Sequence, residues 1–390
     1  MIARPFWLKR ILARLTERNV LWLAGVRRAG KTTLCRQLPD ARFFDCELPR
    51  TRRLLEDPEL FFADQQGRLV VLDEIHRLAN PSEVLKIAAD HFPRVRVVAT
   101  GSSTLAARRK FKDTLTGRKR QVWLLPATLA DMRAYGMTDW DERMLKGGLP
   151  PFLLGEGLAD EDYLDWIDAF WAKDLQELFG VDKKGAFTKF MELVFHQSGQ
   201  LFEATRFAAE CEVSRQTIQH YLEILETTLV ANVLRPFAGT SAAELKRQPK
   251  VYAFDTGFVC YIRDWGSLRP EDRGQMLEHL VLNELCAHLP RERLFYWRDK
   301  QQHEVDFVVK PGRSQQPMAI ECKAQEKKFD PAALLSFRGR HPQGRNLVVC
   351  LDCLEAHRKR FGDLVVEFAP FAAFDRILMA CDRVPQTERP

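Results

Sequence analysis

Short apolar runs set the rhythm of the first third of the chain. Those near residues 20, 43, 70, 97 and 122 alternate with helix-patterned stretches, and the clearest, "VLWLA" and "LVVL", are unbroken rather than alternating. A strand buried on both faces reads this way, so the pattern predicts a parallel sheet covered by helices on both sides. A glycine- and proline-rich seam, "KGGLPPFLLGEG" at 146–157, reads as an inter-domain joint, and 160–179 reads as helical and aromatic-rich. Next, "LFEATRFAAECEVSRQTIQHYLEILETTLVANVLRPF" predicts a helix ending near Glu212 and a turn at Val213 and Ser214. A second helix opens at Arg215, and a strand-like run follows at 229–234. Farther on, "GQMLEHLVLNEL" is an amphipathic helix and "FYWRDKQQHEVDFVVKPGRSQQPMAIECKA" reads as three successive strands. A helix and a strand at 346–351 come after them.

Chemistry gathers where the early strands end. The strand 20–24 runs into "GVRRAGKTT", in which Gly25, Gly30, Lys31 and Thr32 fit the spacing of a phosphate-binding loop. Glycines permit a tight turn and close approach by a phosphate. Loop amides and the N-terminus of a helix at 32–38 would then face the anion. Lys31 would reach the phosphates and Thr32 would offer its hydroxyl to Mg²⁺, with Arg28 and Thr33 beside them. The strand 69–72 ends in Asp73 and Glu74, at the edge where open α/β sheets bind ligands. Asp73 would complete the Mg²⁺ shell, and Glu74 would polarise an attacking water. After the strand in "RVRVVATGSS", Ser102 either positions that water or caps the next helix. Arg118, in "LTGRKR", is either an arginine finger or one member of a basic surface cluster.

Two further constellations lie in the second half. Ile218, Tyr221, Leu222 and Leu225 occupy one face of the helix that opens at Arg215. Arg215, Gln216, Gln219 and His220 remain on the other, a polar face suited to DNA or to a protein partner. In "IECKA", Glu321 and Lys323 share a strand face, which Asp306 can approach if its strand pairs with theirs. Glu278 can be aimed at the same place from its helix. Such carboxylates would hold a divalent metal against a phosphodiester; a nuclease-like core used only for binding has the same pattern.

Composition narrows this little. The 390 residues are 46% apolar and 29% charged, an ordinary soluble balance with room for two or three cores. A net charge of +6 permits a nucleic-acid partner without requiring one. No apolar run approaches the roughly 18 residues of a membrane span, and the N-terminus lacks a signal-peptide core, so the expected location is cytoplasmic. Nine scattered cysteines fit that compartment, and Cys350 and Cys353 read as buried strand-end thiols.

The motifs "GVRRAGKTTL", "LDEIHRL", "TGSS", "LTGR", "GGLP", "YAFDTGF" and "FYWRD…HEVDF…IECKA" together resemble a prokaryotic family of AAA-type P-loop ATPases. Members carry a C-terminal domain of unknown function with a winged helix and a PD-(D/E)XK nuclease-like core. The resemblance implies ATP and Mg²⁺ at residues 25–33, Asp73 and Glu74. It also implies an α/β chain divided at 1–150 (ATPase), 151–245 (helical and winged-helix) and 246–390 (nuclease-like). The expected function is a Mg²⁺-dependent ATPase that binds and remodels DNA, with metal-dependent cleavage as a second activity and a homo-oligomer as one option for its assembly. An ATPase switch for a protein partner and a nucleotide-gated nuclease are the competing readings.

Overall fold

The computed structural model describes residues 3–101, 115–155, 160–176, 183–237, 248–310 and 316–382. The chain forms two compact units. One comprises Met1–Thr138, Leu149–Phe187 and Tyr221–Val230; the other comprises Asp139–Gly148, Thr188–His220 and Ala231–Pro390.

The first unit is built on five parallel strands: β1 (Val20–Ala24), β2 (Ala41–Asp45), β3 (Leu69–Asp73), β4 (Arg96–Thr100) and β5 (Lys119–Trp123), in the order β2-β3-β4-β1-β5. Every residue of β1 and β3 is buried, so both faces of the sheet centre are covered. Val20, Trp22 and Ala24 join Val84, Leu85 and Ala88 of the helix Pro81–His91 in one core cluster. The helix Pro5–Glu17 buries Trp7, Ile11 and Leu15 at four-residue spacing and packs on β1 and β5. The stretch expected to be helical is so over its described residues, an α-helix over Asp160–Phe170 that widens into a π-helical turn at Trp171–Gln176.

The second unit holds a mixed sheet of nine strands. They are β6 (Gln200–Leu201), β7 (Ala231–Pro236), β8 (Lys250–Ala253), β9 (Leu294–Arg298), β10 (Glu304–Val309), β11 (Met318–Lys323), β12 (Asn346–Cys350), β13 (His357–Phe361) and β14 (Leu364–Pro370). Their order is β13-β14-β12-β11-β10-β9-β7-β8-β6. The three strands expected after residue 294 are β9, β10 and β11, joined antiparallel. The helix Asp272–His288 packs on β11, and Ala332–Arg340 on β10.

Within the second unit, residues 139–148 pack closely on the segment that follows β8. The helix Trp140–Lys146 packs against Thr256–Ile262. Asp255 accepts hydrogen bonds from the amides of Gly148 (2.6 Å) and Gly257 (3.0 Å). A Cβ at Gly147 would stand 1.9 Å from Asp255 Oδ1, and one at Gly257 2.6 Å from the Lys146 carbonyl. The motifs "GGLP" and "FDTGF" thus close on each other as one clasp, which needs its glycines for space.

Candidate nucleotide site and a buried acidic cluster

β1 enters a loop that leaves no room for side chains where it turns. A Cβ on Gly25 would stand 2.6 Å from the Leu124 carbonyl oxygen. Arg28 and Gly30 take left-handed backbone, with φ of 62° and 90°, and glycine tolerates this conformation best. Gly30 is the N-cap of the helix Lys31–Cys35, shorter than the 32–38 expected. Lys31 Nζ folds over the loop, donating to the carbonyls of Gly25 (2.9 Å) and Val26 (3.1 Å). From behind, Arg4 donates to the carbonyls of Ala29 (3.0 Å) and Leu125 (2.9 Å). Its guanidinium is fixed by Asp131 at 2.6 and 2.9 Å.

Strand order brings the carboxyl ends of β3, β4 and β1 side by side, with β4 in the middle. Thr100, the last residue of β4, donates to Asp73 and accepts from the Glu74 amide at 3.1 Å. Burial raises the Asp73 pKa, while hydrogen bonds from the Thr100 and Thr32 hydroxyls work against that rise. Glu74 has left-handed backbone (φ 52°), and its carboxylate lies 3.1 Å from His76 Nδ1. Burial alone would push its pKa up. The His76 hydrogen bond and the charges of Lys31 and Arg27 nevertheless hold it below the usual glutamate value. A Cβ on Gly101 would stand 2.9 Å from the Trp22 ring and 3.4 Å from His76 Nδ1, so glycine leaves His76 its place.

The loop, Glu74 and His76 line a cavity of about 290 Å³. Its wall includes Arg27, Arg28, Lys31, Thr32, Thr33, Glu74 and His76, and, from later in the chain, Trp166, Phe170, Thr228 and Val230. Trp166 stacks on Phe170 at 5.4 Å and donates its indole N–H to the Arg27 carbonyl at 3.0 Å. Ser102 lies outside the described residues. Arg118 precedes β5 at the opposite end of the sheet, about 16 Å of strand from the loop at 3.3 Å per residue. There it pairs with Asp90 at 2.7 Å, and it does not reach the chain's own nucleotide cavity. His76, Arg4 and the Trp166 wall are participants that the motifs do not reveal, whereas Thr100 stands among the small hydroxyl residues that close its strand.

In the second unit, Glu278, Asp306, Glu321 and Lys323 do come together. A bulge in β10 puts an extra residue between its Val305 and Val308 pairings with β9. Asp306 Oδ2 there accepts from the Cys322 amide at 2.8 Å. Lys323 Nζ donates to Glu321 Oε2 at 2.7 Å, while Glu321 Oε1 is buried with no hydrogen-bond partner among the described residues. Tyr252 donates to Glu278 at 2.8 Å, and Lys250 sits 2.5 Å from Glu304. Burial, then the charge of Asp306, pushes the pKa of Glu278 and of Glu321 upward. Cys350 and Cys353 are buried and free. Cys353, His357 and Glu326 place ligand atoms within 4.8 Å of one another, but Glu326 is already paired with Lys359 at 2.5 Å and His357 at 3.0 Å.

The helix Arg215–Thr227 buries Ile218, Tyr221, Ile224 and Leu225, leaves Leu222 half-buried, and exposes Arg215, Gln216, Gln219 and His220. Ser214 accepts from the Thr217 amide at 3.0 Å and caps the helix. No described helix is long and apolar enough to cross a membrane.

A family model described as an AAA domain matches residues 17–132. Two described as domains of unknown function, DUF8612 and DUF4143, match 137–269 and 273–371. Domain and site together define an ATPase of the AAA, P-loop type. The chain belongs to the family of two mycobacterial proteins named as uncharacterized, Rv2008c of Mycobacterium tuberculosis and Mb2031c of Mycobacterium bovis. It is 31% identical to each over 327 residues, 80% of this chain and 72% of theirs. Among solved structures, the Walker-type ATPase PABY2304 of Pyrococcus abyssi is 13% identical, with a TM-score of 0.45, and the match covers 67% of this chain and 96% of that one. Cdc6p of Pyrobaculum aerophilum is also 13% identical, with a TM-score of 0.28 and coverage of 67% and 94%.

Proposed function

We propose that this ATPase hydrolyses ATP with Mg²⁺ and acts on DNA. Lys31 and the loop amides bind the phosphates, Thr32 and Asp73 hold the Mg²⁺, and Glu74 takes the proton of the attacking water. The observation that carries the reading is the pair of acids after the third strand: Asp73 is held by the Thr32 and Thr100 hydroxyls, and Glu74 is kept ionised at the cavity wall by His76, Lys31 and Arg27. Bound Mg²⁺ supplies charge neutralisation to the β- and γ-phosphates.

DNA engagement is supported by the order helix Lys184–His196, β6, helices Ala204–Cys211 and Arg215–Thr227, β7, β8, in which β8 pairs with both β6 and β7. We read this order as that of a winged helix, and the exposed face of its last helix carries Arg215, Gln216, Gln219 and His220. Replacing Arg215 and Gln219 by alanine should lower DNA affinity and leave DNA-free ATP turnover unchanged. For every DNA phosphate that the variant no longer neutralises, the slope of log affinity against log salt should also fall by about 0.9. Undiminished binding by that variant, or no binding by the wild type at low salt, would favour a protein partner instead.

The acidic cluster reads as a divalent-metal centre of nuclease type. Glu278, Glu304, Asp306 and Glu321 outnumber Lys250, Lys323 and the rim residue Arg298, and Glu321 Oε1 lacks a partner among the described residues. Oxygen donors of this kind suit Mg²⁺ or Mn²⁺, held by Asp306, Glu321 and Glu278. The ion would supply Lewis acidity for phosphodiester hydrolysis, with Lys323 at hand for the developing negative charge. Asp306→Asn keeps an acceptor for the Cys322 amide, so it should retain the folded state and lose Mn²⁺-dependent cutting. A wild type that cuts no DNA or RNA form with either ion sinks this reading.

A further inference from the structure

Lys250, outside every motif of the sequence, is only 5% exposed, a depth lysines reach almost solely when paired. Its ammonium lies 2.5 Å from Glu304 Oε1, 3.9 Å from Glu278 Oε2 and 3.4 Å from the Tyr252 hydroxyl. It also sits 5.8 and 5.9 Å from the ring centres of Tyr252 and Tyr296. The backbone beneath it is fixed, because β8 is paired along both edges and the Tyr296 hydroxyl donates to the Gln248 carbonyl at 2.5 Å. The flexible four-carbon stem is the part of Lys250 that can withdraw.

We propose that Lys250 is a tethered cation that competes with a divalent metal for the acidic centre and thereby sets that centre's metal affinity. The inference rests on the metal-centre reading above. Glu278 Oε2 receives the Tyr252 hydroxyl and faces Lys250, while the same carboxylate feels the buried negative charge of Asp306 and adds to that on Glu321. A divalent ion held by Asp306, Glu321 and Glu278 therefore takes a carboxylate that Lys250 already neutralises. It must also tolerate an ammonium a few ångströms away in a medium that screens poorly. Lys323 stands differently: it pairs with Glu321 Oε2 and leaves Oε1 of the same carboxylate unpartnered among the described residues.

The test is Mn²⁺ titration of the full chain without nucleotide, with the Glu321→Gln variant subtracted so that only this centre is read. Lys250→Met keeps most of the stem and deletes the charge, and it should bind Mn²⁺ at least about tenfold more tightly than the wild type. Affinity within twofold of wild type removes the role of Lys250 and leaves the metal centre standing. Absence of Mn²⁺ binding in both chains removes the metal centre, and the proposal with it. Should Lys250→Met fail to fold, acetylation of Lys250 in the wild type gives the same answer by mass spectrometry. Mn²⁺ should accelerate modification by releasing the amine from its carboxylates, and a rate indifferent to Mn²⁺ overturns the proposal.

Discussion

Glu74→Gln should bind ATP within about twofold of wild type and lose turnover by roughly 10² to 10⁴, the usual contribution of a positioned base. The amide fills the same space against His76 but cannot accept the water's proton. Lys31→Ala should do the reverse. It deletes a charge-assisted hydrogen-bond donor contributing about 1.5–3 kcal/mol, so nucleotide affinity should fall roughly ten- to hundredfold. Calorimetric ATP binding and phosphate release, measured on both variants, separate the two roles. Equal loss of binding in both would show that the roles are misassigned. Because Glu74 is held below the ordinary glutamate pKa, it stays ionised into mildly acidic solution. His76→Ala should therefore move the acid limb of the turnover profile upward.

Asp131→Ala should destabilise the first unit by about 3–5 kcal/mol, the cost of leaving a buried guanidinium without its partner. Asp131 is fully buried, accepts from Arg4 twice, from the Trp7 indole at 3.0 Å and from the Thr128 hydroxyl at 2.8 Å, and closes a capping box on the helix Leu129–Tyr135. Burial alone would raise its pKa; the Arg4 and Thr128 interactions reverse this and bring it below the usual aspartate value. Its contribution is thus complete above the unfolded pKa of about 4 and is lost as pH falls through the lower folded value. Urea unfolding at pH 7 and pH 3 checks both claims. The wild-type advantage over the variant should be smaller at pH 3, and an advantage below about 1 kcal/mol at pH 7 would remove Arg4–Asp131 as the brace behind the loop.

The parts of this molecule legible in its sequence are those fixed by local spacing. The glycines of the first loop, the acids at the end of β3 and the apolar face of the helix at Arg215 announce themselves within a few residues. Glu278, Asp306, Glu321 and Lys323 could be named as a set because strand parity and order suffice for that. The bulge that turns Asp306 toward the Cys322 amide leaves no such trace, since one extra residue in β10 changes no composition. Lys250, Arg4 and Trp166 were hidden for another reason. Each has a defining partner far off in sequence, Glu278 for Lys250, Asp131 for Arg4 and Arg27 for Trp166, at 28, 127 and 139 residues, which no window along the chain displays. Arg118 shows the opposite limit: its sequence company allowed either a finger or a surface cluster, and the strand direction, which puts it beside Asp90 at the opposite end of the sheet, is not visible in that company.

Because the nucleotide cavity is walled by Trp166, Phe170, Thr228 and Val230 as well as by its loop, it matures late in synthesis. A ribosome that has released only the first 138 residues has delivered the whole loop from Gly25 to Thr33 and no Trp166. Not until residue 230 has emerged can the last wall be laid. A nascent or proteolytically shortened chain would therefore carry a loop competent for phosphate in an unfinished chamber. ATP capture followed during stalled translation should rise in two stages rather than one.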